Sequence, residues 1–379
     1  MPAEPLPTET ATRDVARIFL CGDVMTGRGI DQILPRSCPP RIYERVAKSA
    51  LEYVELAESV NGPIPRAVDH AYVWGDALDV LADVRPDARI INLETSITTS
   101  ERAARKGINY RMHPENVGVL TAAGIDCCVL ANNHVLDWGE AGLLETLDIL
   151  AAAGIAVAGA GRDLWAAQRP ARLRVDAAHS VLVFACGAKD SGIPSASGAT
   201  AAQPGVRLLP DFSNAAAADI ARAVHALKRP RDVAIASIHW GGNWGFDIPT
   251  PHRAFAHALI DHASIDVIHG HSSHHPKAIE VYRNRLILYG CGDFLDDYEG
   301  ISGYEQFRDD LVLMYFPTLD TGTGQLTALE MLPLQIRRFR LSHASPADRA
   351  WLHTVLDREC RRFGHRVVLR NDFLVLEWD

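Results

Sequence analysis

Short apolar runs alternate with helix-like patterns along most of the chain. Between several of these runs, apolar residues recur at i, i+3 and i+4, as in residues 140–154, and Gly154 stands where a helix commonly ends. The predicted strands cover residues 16–23, 88–95, 126–134, 155–161, 180–187, 232–241 and 265–271. Because near-continuous apolar strands indicate a sheet that is covered on both faces, this alternation predicts an α/β fold.

The pattern changes after residue 275. The strands there follow one another closely, with a hairpin turn predicted at Arg283–Asn284, a helix over about 346–363 and a final pair of strands. No internal repeat, low-complexity linker or block of like charges divides the sequence. We therefore predict a single domain over residues 14–379, preceded by a flexible N-terminus over residues 1–13.

Side chains that can bind metal follow five of the predicted strands. In open α/β sheets the ligand crevice lies outside the carboxyl ends of the strands, so we expect these side chains at one edge. They are Asp23, Asn92, Glu94, Asn132, Asn133, His134, Asp137, His239, His269, His271, His274 and His275. Carboxylate, amide and imidazole groups together suit Zn, Mn, Fe or Ca, so the pattern predicts a metal site.

Each of these residues also has a simpler explanation when it is taken alone. Asp23 can cap a helix or form a turn, and a single histidine such as His239 is more often a hydrogen-bonded core residue. The stretch "VIHGHSSHHPK", residues 267–277, nevertheless places four histidines within seven positions directly after an apolar run. Their coincidence with the other strand ends favours metal ligands together with one or two acid–base groups.

Composition and charge exclude some classes of function. The formal net charge of −9 and the pI near 6.0 argue against non-specific nucleic-acid binding, which depends on clustered Lys and Arg. The seven cysteines lie mostly in apolar runs and include no CxxC pair, which predicts reduced thiols. The first residues do not resemble a signal peptide, and no apolar run reaches the roughly 18 residues of a membrane span. We expect a cytoplasmic protein that does not bind membranes.

Six motifs occur in an order that resembles a known family. They are "GDVMTGRG", "INLETSIT", "VLANNHVLDWGEAGLLETLDIL", "IHWGGNW", "GHSSHHPKAIEVY" and "LILYGCGDF". Over about residues 16–297 the sequence is similar to the CapA-type branch of the calcineurin-like metallophosphatase superfamily, a branch named for poly-γ-glutamate capsule biosynthesis. The resemblance implies a metallophosphatase-like α/β/β/α sandwich of two packed mixed sheets flanked by helices. It also implies two divalent metal ions.

The resemblance assigns roles to individual residues. The implied metal ligands are Asp23, Glu94, Asn133, His239, His271 and His274. His134 matches a histidine that faces the reacting group in related phosphoesterases, and Asp293 is expected to orient a ligand histidine. Met25 replaces the histidine of the family's D-x-H motif, which weakens the first metal position and puts phosphate-ester hydrolysis in doubt.

Three functions are compatible with such a centre. The favoured hypothesis follows the soluble CapA-like peptide epimerases, which invert the Cα of the C-terminal residue of a ribosomal peptide such as a lasso-peptide precursor. The substrate would be a peptide with a free C-terminal carboxylate, whose Cα proton becomes removable as metal stabilises the developing charge. Phosphoester hydrolysis is the second hypothesis, and a role in poly-γ-glutamate capsule synthesis is the third.

Epimerisation requires an acid–base group on each face of the Cα. His275 is the extra histidine beyond the family's usual pair and is predicted to serve one face. Its alternative role is a surface histidine that caps the turn before Pro276. His134 and Asp137 are the candidates for the opposite face.

Four further residues are candidates for substrate binding. Arg28 and Arg111 could each meet a carboxylate or a phosphate. Trp240 and Trp244, in the stretch "HWGGNWGFD", could line a peptide groove, and packing between loops is the alternative.

Overall fold

The computed structural model describes residues 14–379, so the predicted flexible segment 1–13 lies outside the described residues. The strands, in chain order, are β1 Val15–Val24, β2 Ala88–Leu93, β3 Ser96–Ile97, β4 Arg111–Met112, β5 Cys127–Val129, β6 Ala156–Ala158, β7 Ala160–Gly161, β8 Ala171–Arg174, β9 Ser180–Ala188, β10 Gly205–Val206, β11 Leu208–Leu209, β12 Val233–His239, β13 Val267–His271, β14 Ile279–Tyr282, β15 Arg285–Leu288, β16 Asp293–Leu295, β17 Leu311–Asp320, β18 Leu326–Ile336, β19 Leu341–His343, β20 Arg366–Arg370 and β21 Phe373–Glu377.

Helices connect many of these strands. The α-helices are α1 Gly29–Ile33, α2 Leu51–Asn61, α3 Ala77–Val84, α4 Gly118–Ala122, α5 Gly139–Ala152, α6 Leu164–Gln168, α7 Asn214–Leu227, α8 Thr250–Ala263 and α9 Pro346–Cys360. Single 3₁₀ turns cover Tyr72–Trp74, Pro114–Val117, Lys189–Ser191, Ser195–Ser197 and Arg361–Phe363. The two helices predicted in detail from the sequence, α5 and α9, are both present.

Two large mixed sheets form the centre of the fold. The first has the order β20-β21-β18-β17-β1-β2-β5-β6, in which β1, β2, β5 and β6 are parallel and β17, β18 and β21 are antiparallel. The second has the order β11-β9-β12-β13-β15-β14, with β9, β12, β13 and β15 parallel. This arrangement confirms the predicted α/β class with mixed sheets.

Alternation along β9 shows how the layers pack. Val181 and Val183 belong to the hydrophobic cluster that also contains Ile90 of the first sheet. Leu182 and Phe184, which point to the opposite face, belong to a second cluster with residues of α7 and α8. One face of the second sheet therefore packs on the first sheet and the other is covered by helices, as the predicted sandwich requires.

Local chemistry explains two details of the chain path. The hairpin predicted at Arg283–Asn284 is confirmed, because both residues have positive φ, 50° and 58°, as a tight type I′ turn between β14 and β15 demands. The predicted strand 126–134 is shorter than expected and ends at Val129. The Asn132 side chain accepts hydrogen bonds from the backbone of His134 at 3.1 Å and of Val135 at 3.0 Å, which forms a turn instead.

Strand register brings distant polar residues to one edge. In the first sheet Asp23 pairs with Asn92 of β2 and with Asp293 of β16. In the second sheet His239 lies opposite His271 in the parallel pair β12–β13. These carboxyl ends supply the residues of the candidate site.

Candidate metal centre

Two clusters of potential metal ligands share Asp23. The first consists of Asp23, His239 and His271, and the second of Asp23, His274 and Asp293. Within each cluster one ligand atom per residue lies within 4.8 Å of the others. All five residues are buried, so the two clusters form one internal polar centre at the sheet edges.

The first cluster has the nitrogen-rich composition of a transition-metal site. His239 Nδ1 lies 2.8 Å from His271 Nδ1, and His239 Nε2 lies 3.0 Å from the Asn133 side-chain oxygen. His271 Nε2 is 2.9 Å from the Ser237 hydroxyl, which holds the imidazole ring in place. The predicted ligands Asn133, His239 and His271 are therefore brought together with Asp23.

The second cluster includes a residue for which another role was predicted. His274 Nδ1 lies 2.9 Å and 3.0 Å from the two carboxylate oxygens of Asp293. This contact matches the predicted orientation of a ligand histidine, yet Asp293 is itself close enough to Asp23 to share a cation. Met25 is buried, and its sulfur accepts a hydrogen bond from the Tyr298 hydroxyl at 3.4 Å. The Asp293 carboxylate can therefore bind a cation at the second cluster, whereas the sulfur of Met25 is occupied by Tyr298.

Glu94 lies beside the first cluster and is held by Asn92. The Asn92 amide donates to Asp23 Oδ1 at 2.7 Å and to Glu94 Oε2 at 3.1 Å. The other Glu94 oxygen is 3.8 Å from His239 Nε2 and 3.9 Å from His134 Nε2. Asn92 was noted at its strand end but was not predicted as a site residue. Asn92 aligns the carboxylates of Asp23 and Glu94, and this role depends on the register in which β1 and β2 pair.

The electrostatics of the centre fit divalent cations. Burial raises the pKa of Asp23 and raises the pKa of Glu94 and of Asp293 well above the usual carboxyl range. Burial also lowers the pKa of His239 and of His271 well below that of a free imidazole. These carboxylates need positive charge, and neutral imidazoles are the form that binds metal.

One buried atom supports this conclusion directly. Asp23 Oδ2 has no hydrogen-bond partner among the described residues, and a buried, unpaired carboxylate oxygen is costly unless a cation is bound to it. The mixture of oxygen and nitrogen donors is compatible with Mn, Zn, Fe or Ca.

His134 is held at the side of the centre. Its Nδ1 lies 2.6 Å from Asp137 Oδ2, and the ammonium group of Lys106 donates to Asp137 Oδ1 at 2.7 Å. Burial lowers the pKa of His134 to about 4, so the imidazole is neutral at pH 7. With the proton on Nδ1 bonded to Asp137, Nε2 is an acceptor on the side of Glu94. Lys106 was missed in the sequence, because it lies in an irregular loop with no periodic pattern.

His275 does not join the other histidines. It is buried, and its ring centroid lies 4.6 Å from that of Phe246 and 4.6 Å from that of Phe307. Its Nδ1 is 3.1 Å from the Pro276 carbonyl oxygen, and it belongs to neither ligand cluster found in residues 14–379. The predicted acid–base role at the centre is therefore corrected to one in aromatic packing, and the alternative of a surface histidine is also wrong.

The two arginines predicted to bind substrate are occupied by protein groups. Arg28 is buried; its Nε and Nη2 contact Asp297 and its Nη1 contacts Glu44 at 2.9 Å. Arg111 donates to the backbone carbonyls of Ser100 and Pro39 and stacks over a tryptophan ring. Since both guanidinium groups serve internal contacts, the structure gives them structural roles.

The two tryptophans predicted to bind substrate lie in different environments. Trp240 is buried, donates to the Tyr289 carbonyl at 2.9 Å and stacks on His252, so it packs in the core and does not line a groove. Trp244 is half-buried, with its ring centroid 5.2 Å from that of His274 and 4.0 Å from that of Tyr304. Trp244 thus borders the centre, and its binding of substrate stays a prediction.

Comparison with known families decides the relationship that this geometry suggests. The family described as "Bacterial capsule synthesis protein PGA_cap" matches residues 17–298. The chain belongs to this family. Membership confirms the CapA-type resemblance and its metallophosphatase-like fold. Within residues 14–379 no helix of this PGA_cap protein is both long and apolar enough to cross a membrane.

Several relatives cover most of the chain. A Mycobacterium tuberculosis protein named "Probable polyglutamine synthesis accessory protein" is 51% identical over 364 residues, which is 96% of each chain. The "PGA biosynthesis protein CapA" of Bacillus subtilis is 28% identical over 88% of this chain and 75% of its own. The "Capsule biosynthesis protein CapA" of Bacillus anthracis is 25% identical over 87% of this chain and 70% of its own.

These relatives overturn the favoured functional hypothesis. Their names concern polyglutamine synthesis, PGA biosynthesis and capsule biosynthesis, and none of them concerns a peptide epimerase. The prediction of an epimerase acting on a lasso-peptide type of substrate is therefore wrong, and the capsule-polymer alternative is the better supported. The error arose because a metal centre with surplus histidines is compatible with several reactions, and His275, the extra histidine, lies in the aromatic cluster.

Proposed function

We propose that this protein is a metal-dependent accessory enzyme of poly-γ-glutamate synthesis that hydrolyses an amide bond of the glutamyl chain. The family description and the names of the two CapA relatives support the polymer, and the metallophosphatase-like fold supports hydrolysis. In a synthetic system such a reaction would set the length of the polymer or release it.

The observation that carries the proposal is the position of Asp23 in both ligand clusters. A carboxylate that offers atoms to two neighbouring clusters can bridge a pair of cations, and Glu94 lies beside it as a second carboxylate. Divalent cations, when bound there, would polarise the carbonyl oxygen of the scissile bond.

His134 is the residue that we propose for proton transfer. Its Nε2, on the side of Glu94, would take a proton from the attacking water as the new carbon–oxygen bond forms. The same proton would then pass to the amide nitrogen as the carbon–nitrogen bond breaks. Asp137 fixes the tautomer that this step needs, and Lys106 holds Asp137.

The test uses the full chain loaded with Mn or Zn and incubated with poly-γ-glutamate. We expect the polymer to become shorter, as measured by size-exclusion chromatography, and Asp23→Asn to abolish both bound metal and shortening. Asp247→Asn is the matched control, because the Asp247 side chain is 98% exposed. A metal-loaded wild-type protein that leaves the polymer intact would refute hydrolysis of the chain.

A further inference from the structure

A basic loop lies beside the candidate metal centre. Residues 101–107 line a cavity of about 610 Å³, together with the ring of Tyr43. The loop carries Arg102, Arg105 and Lys106, and Glu101 is the acidic residue of the lining. A local excess of positive charge contrasts with the net charge of −9 for the whole chain.

The cavity and the centre share Lys106. The Lys106 ammonium donates to the Asn133 carbonyl oxygen and to Asp137 Oδ1, both at 2.7 Å. Asn133 in turn contacts His239 of the first ligand cluster. A ligand in this cavity would therefore contact Lys106, and Lys106 itself contacts Asp137, which holds the histidine that we assign to proton transfer.

The two arginines of the loop are free to meet a ligand. Both Arg102 and Arg105 are exposed, and neither forms an ion pair with a carboxylate of the described residues. This contrasts with Arg28 and Arg111, whose guanidinium groups are occupied by internal partners. Lys106 is partly neutralised by Asp137, and Glu101 offsets part of the remaining charge, so the net positive charge of the loop comes from Arg102 and Arg105.

We propose that loop 101–107 is a docking surface for the carboxylates of an anionic γ-glutamyl chain, a proposal that rests on the proposed function. A γ-linked chain carries one free carboxylate per residue, and guanidinium groups bind carboxylates through paired hydrogen bonds. The two methylenes of each repeat can lie against the exposed ring of Tyr43. An uncharged polyglutamine chain lacks the groups that this surface recognises.

The experiment measures binding to the metal-loaded full chain. Fluorescently labelled oligomers of γ-glutamate and of glutamine, equal in length, are titrated with wild type and with Arg102→Glu/Arg105→Glu. We expect wild type to bind the γ-glutamate oligomer more tightly, and the double variant to weaken that binding about tenfold, as for two lost exposed ion pairs. Added salt should weaken the binding of the γ-glutamate oligomer to wild type more than its binding to the double variant.

Two controls separate charge from folding. Arg169→Glu/Arg222→Glu makes the same change of charge at exposed arginines on other elements and should bind like wild type. Arg102→Gln/Arg105→Gln removes the charge without reversing it and should give an intermediate affinity. Metal content and thermal unfolding are compared for every variant, so that a misfolded protein is recognised. If the Glu double variant is misfolded, the affinity of Arg102→Gln/Arg105→Gln decides whether the loop binds the oligomer.

The outcomes distinguish this inference from the proposed function. If wild type binds γ-glutamate and the loop variants bind equally well, the loop is not the docking surface and the proposed function stands. Equal binding of the glutamine oligomer would also overturn recognition of carboxylates. If wild type binds and shortens neither polymer, both proposals are refuted.

Discussion

The close approach of two backbone segments beneath Asp23 makes Gly22 a sensitive position. A Cβ at Gly22 would lie 1.7 Å from the carbonyl oxygen of Gly292, whereas ordinary contact begins at 3.4 Å. The Asp23 amide also donates to that oxygen at 3.0 Å, so β1 and the turn before β16 cannot separate without breaking this bond. Gly22→Ala must therefore push the segments that carry Asp23 and Asp293 apart by about 1.7 Å.

The size of the effect follows from this displacement. Overpacking of a buried site costs about 1–3 kcal/mol of unfolding free energy, and backbone contact places this variant at or above the upper end. Metal–ligand distances tolerate only about 0.2 Å, so separating Asp23 from Asp293 should also weaken metal binding about 10–100-fold. Stability and metal affinity should fall together.

The assay compares thermal unfolding with and without a chelator, and metal affinity by calorimetry. Gly242→Ala is the matched control, since a Cβ there has no heavy atom of its surroundings within 4 Å. A Gly22→Ala protein with wild-type stability would refute the steric argument. A destabilised protein with unchanged metal affinity would instead refute the coupling between this contact and the centre.

Three more predictions follow from the centre and its surroundings. Asp293→Asn should lower the bound metal per chain in elemental analysis, because it removes a charged ligand of the second cluster, whereas Asp247→Asn should not; equal metal content would exclude Asp293 as a ligand. Burial lowers the pKa of His269 and of His275 to about 4, so the unfolded chain binds protons below about pH 6.5 that the folded chain does not. The share of the unfolding free energy that depends on His275 in the metal-free protein should therefore be fully present above pH 6.5 and fall towards pH 4, so wild type should lose stability relative to His275→Gln over this range when both are unfolded with denaturant; a difference that does not change with pH would contradict this. Hydrolysis of an aryl phosphate should be weak, because three carboxylates offset the positive charge that attracts phosphate and Met25 supplies no imidazole ligand to the first metal position; turnover in the usual enzyme range of roughly 1–1000 per second would contradict it.

Local patterns in the sequence are sufficient to predict the helices and strands and the polar residues at the strand ends. Apolar periodicity identifies strands and helices such as α5 and α9 because burial repeats with the geometry of each element. The order of the motifs identified the family, which the match over residues 17–298 confirms. The sequence predicts Asp23, His239 and His271 at one edge because parallel strands end at a common edge, and the structure brings the three residues together.

Contacts between residues that are far apart in sequence determine the roles of the other candidate site residues. Arg28 is paired with Asp297, which is 269 positions away, and no local pattern could distinguish that bond from a free guanidinium. His275 and His274 are neighbours in sequence, yet one ring is enclosed by Phe246 and Phe307 while the other contacts Asp293. The two histidines lie in a bend between β13 and β14, so adjacency in sequence does not imply a shared site.

By itself the sequence determined which residue types stand at the strand ends and to which family they belong. The tertiary structure decided which of them form the centre, through the register that pairs Asp23 with Asp293 and His239 with His271. It also revealed Lys106 and the basic loop, because an irregular segment has no periodicity from which its position can be inferred. The physical reason is the same in each case: burial patterns are local properties of the chain, whereas the electrostatic environment of a side chain is set by whatever folding brings next to it.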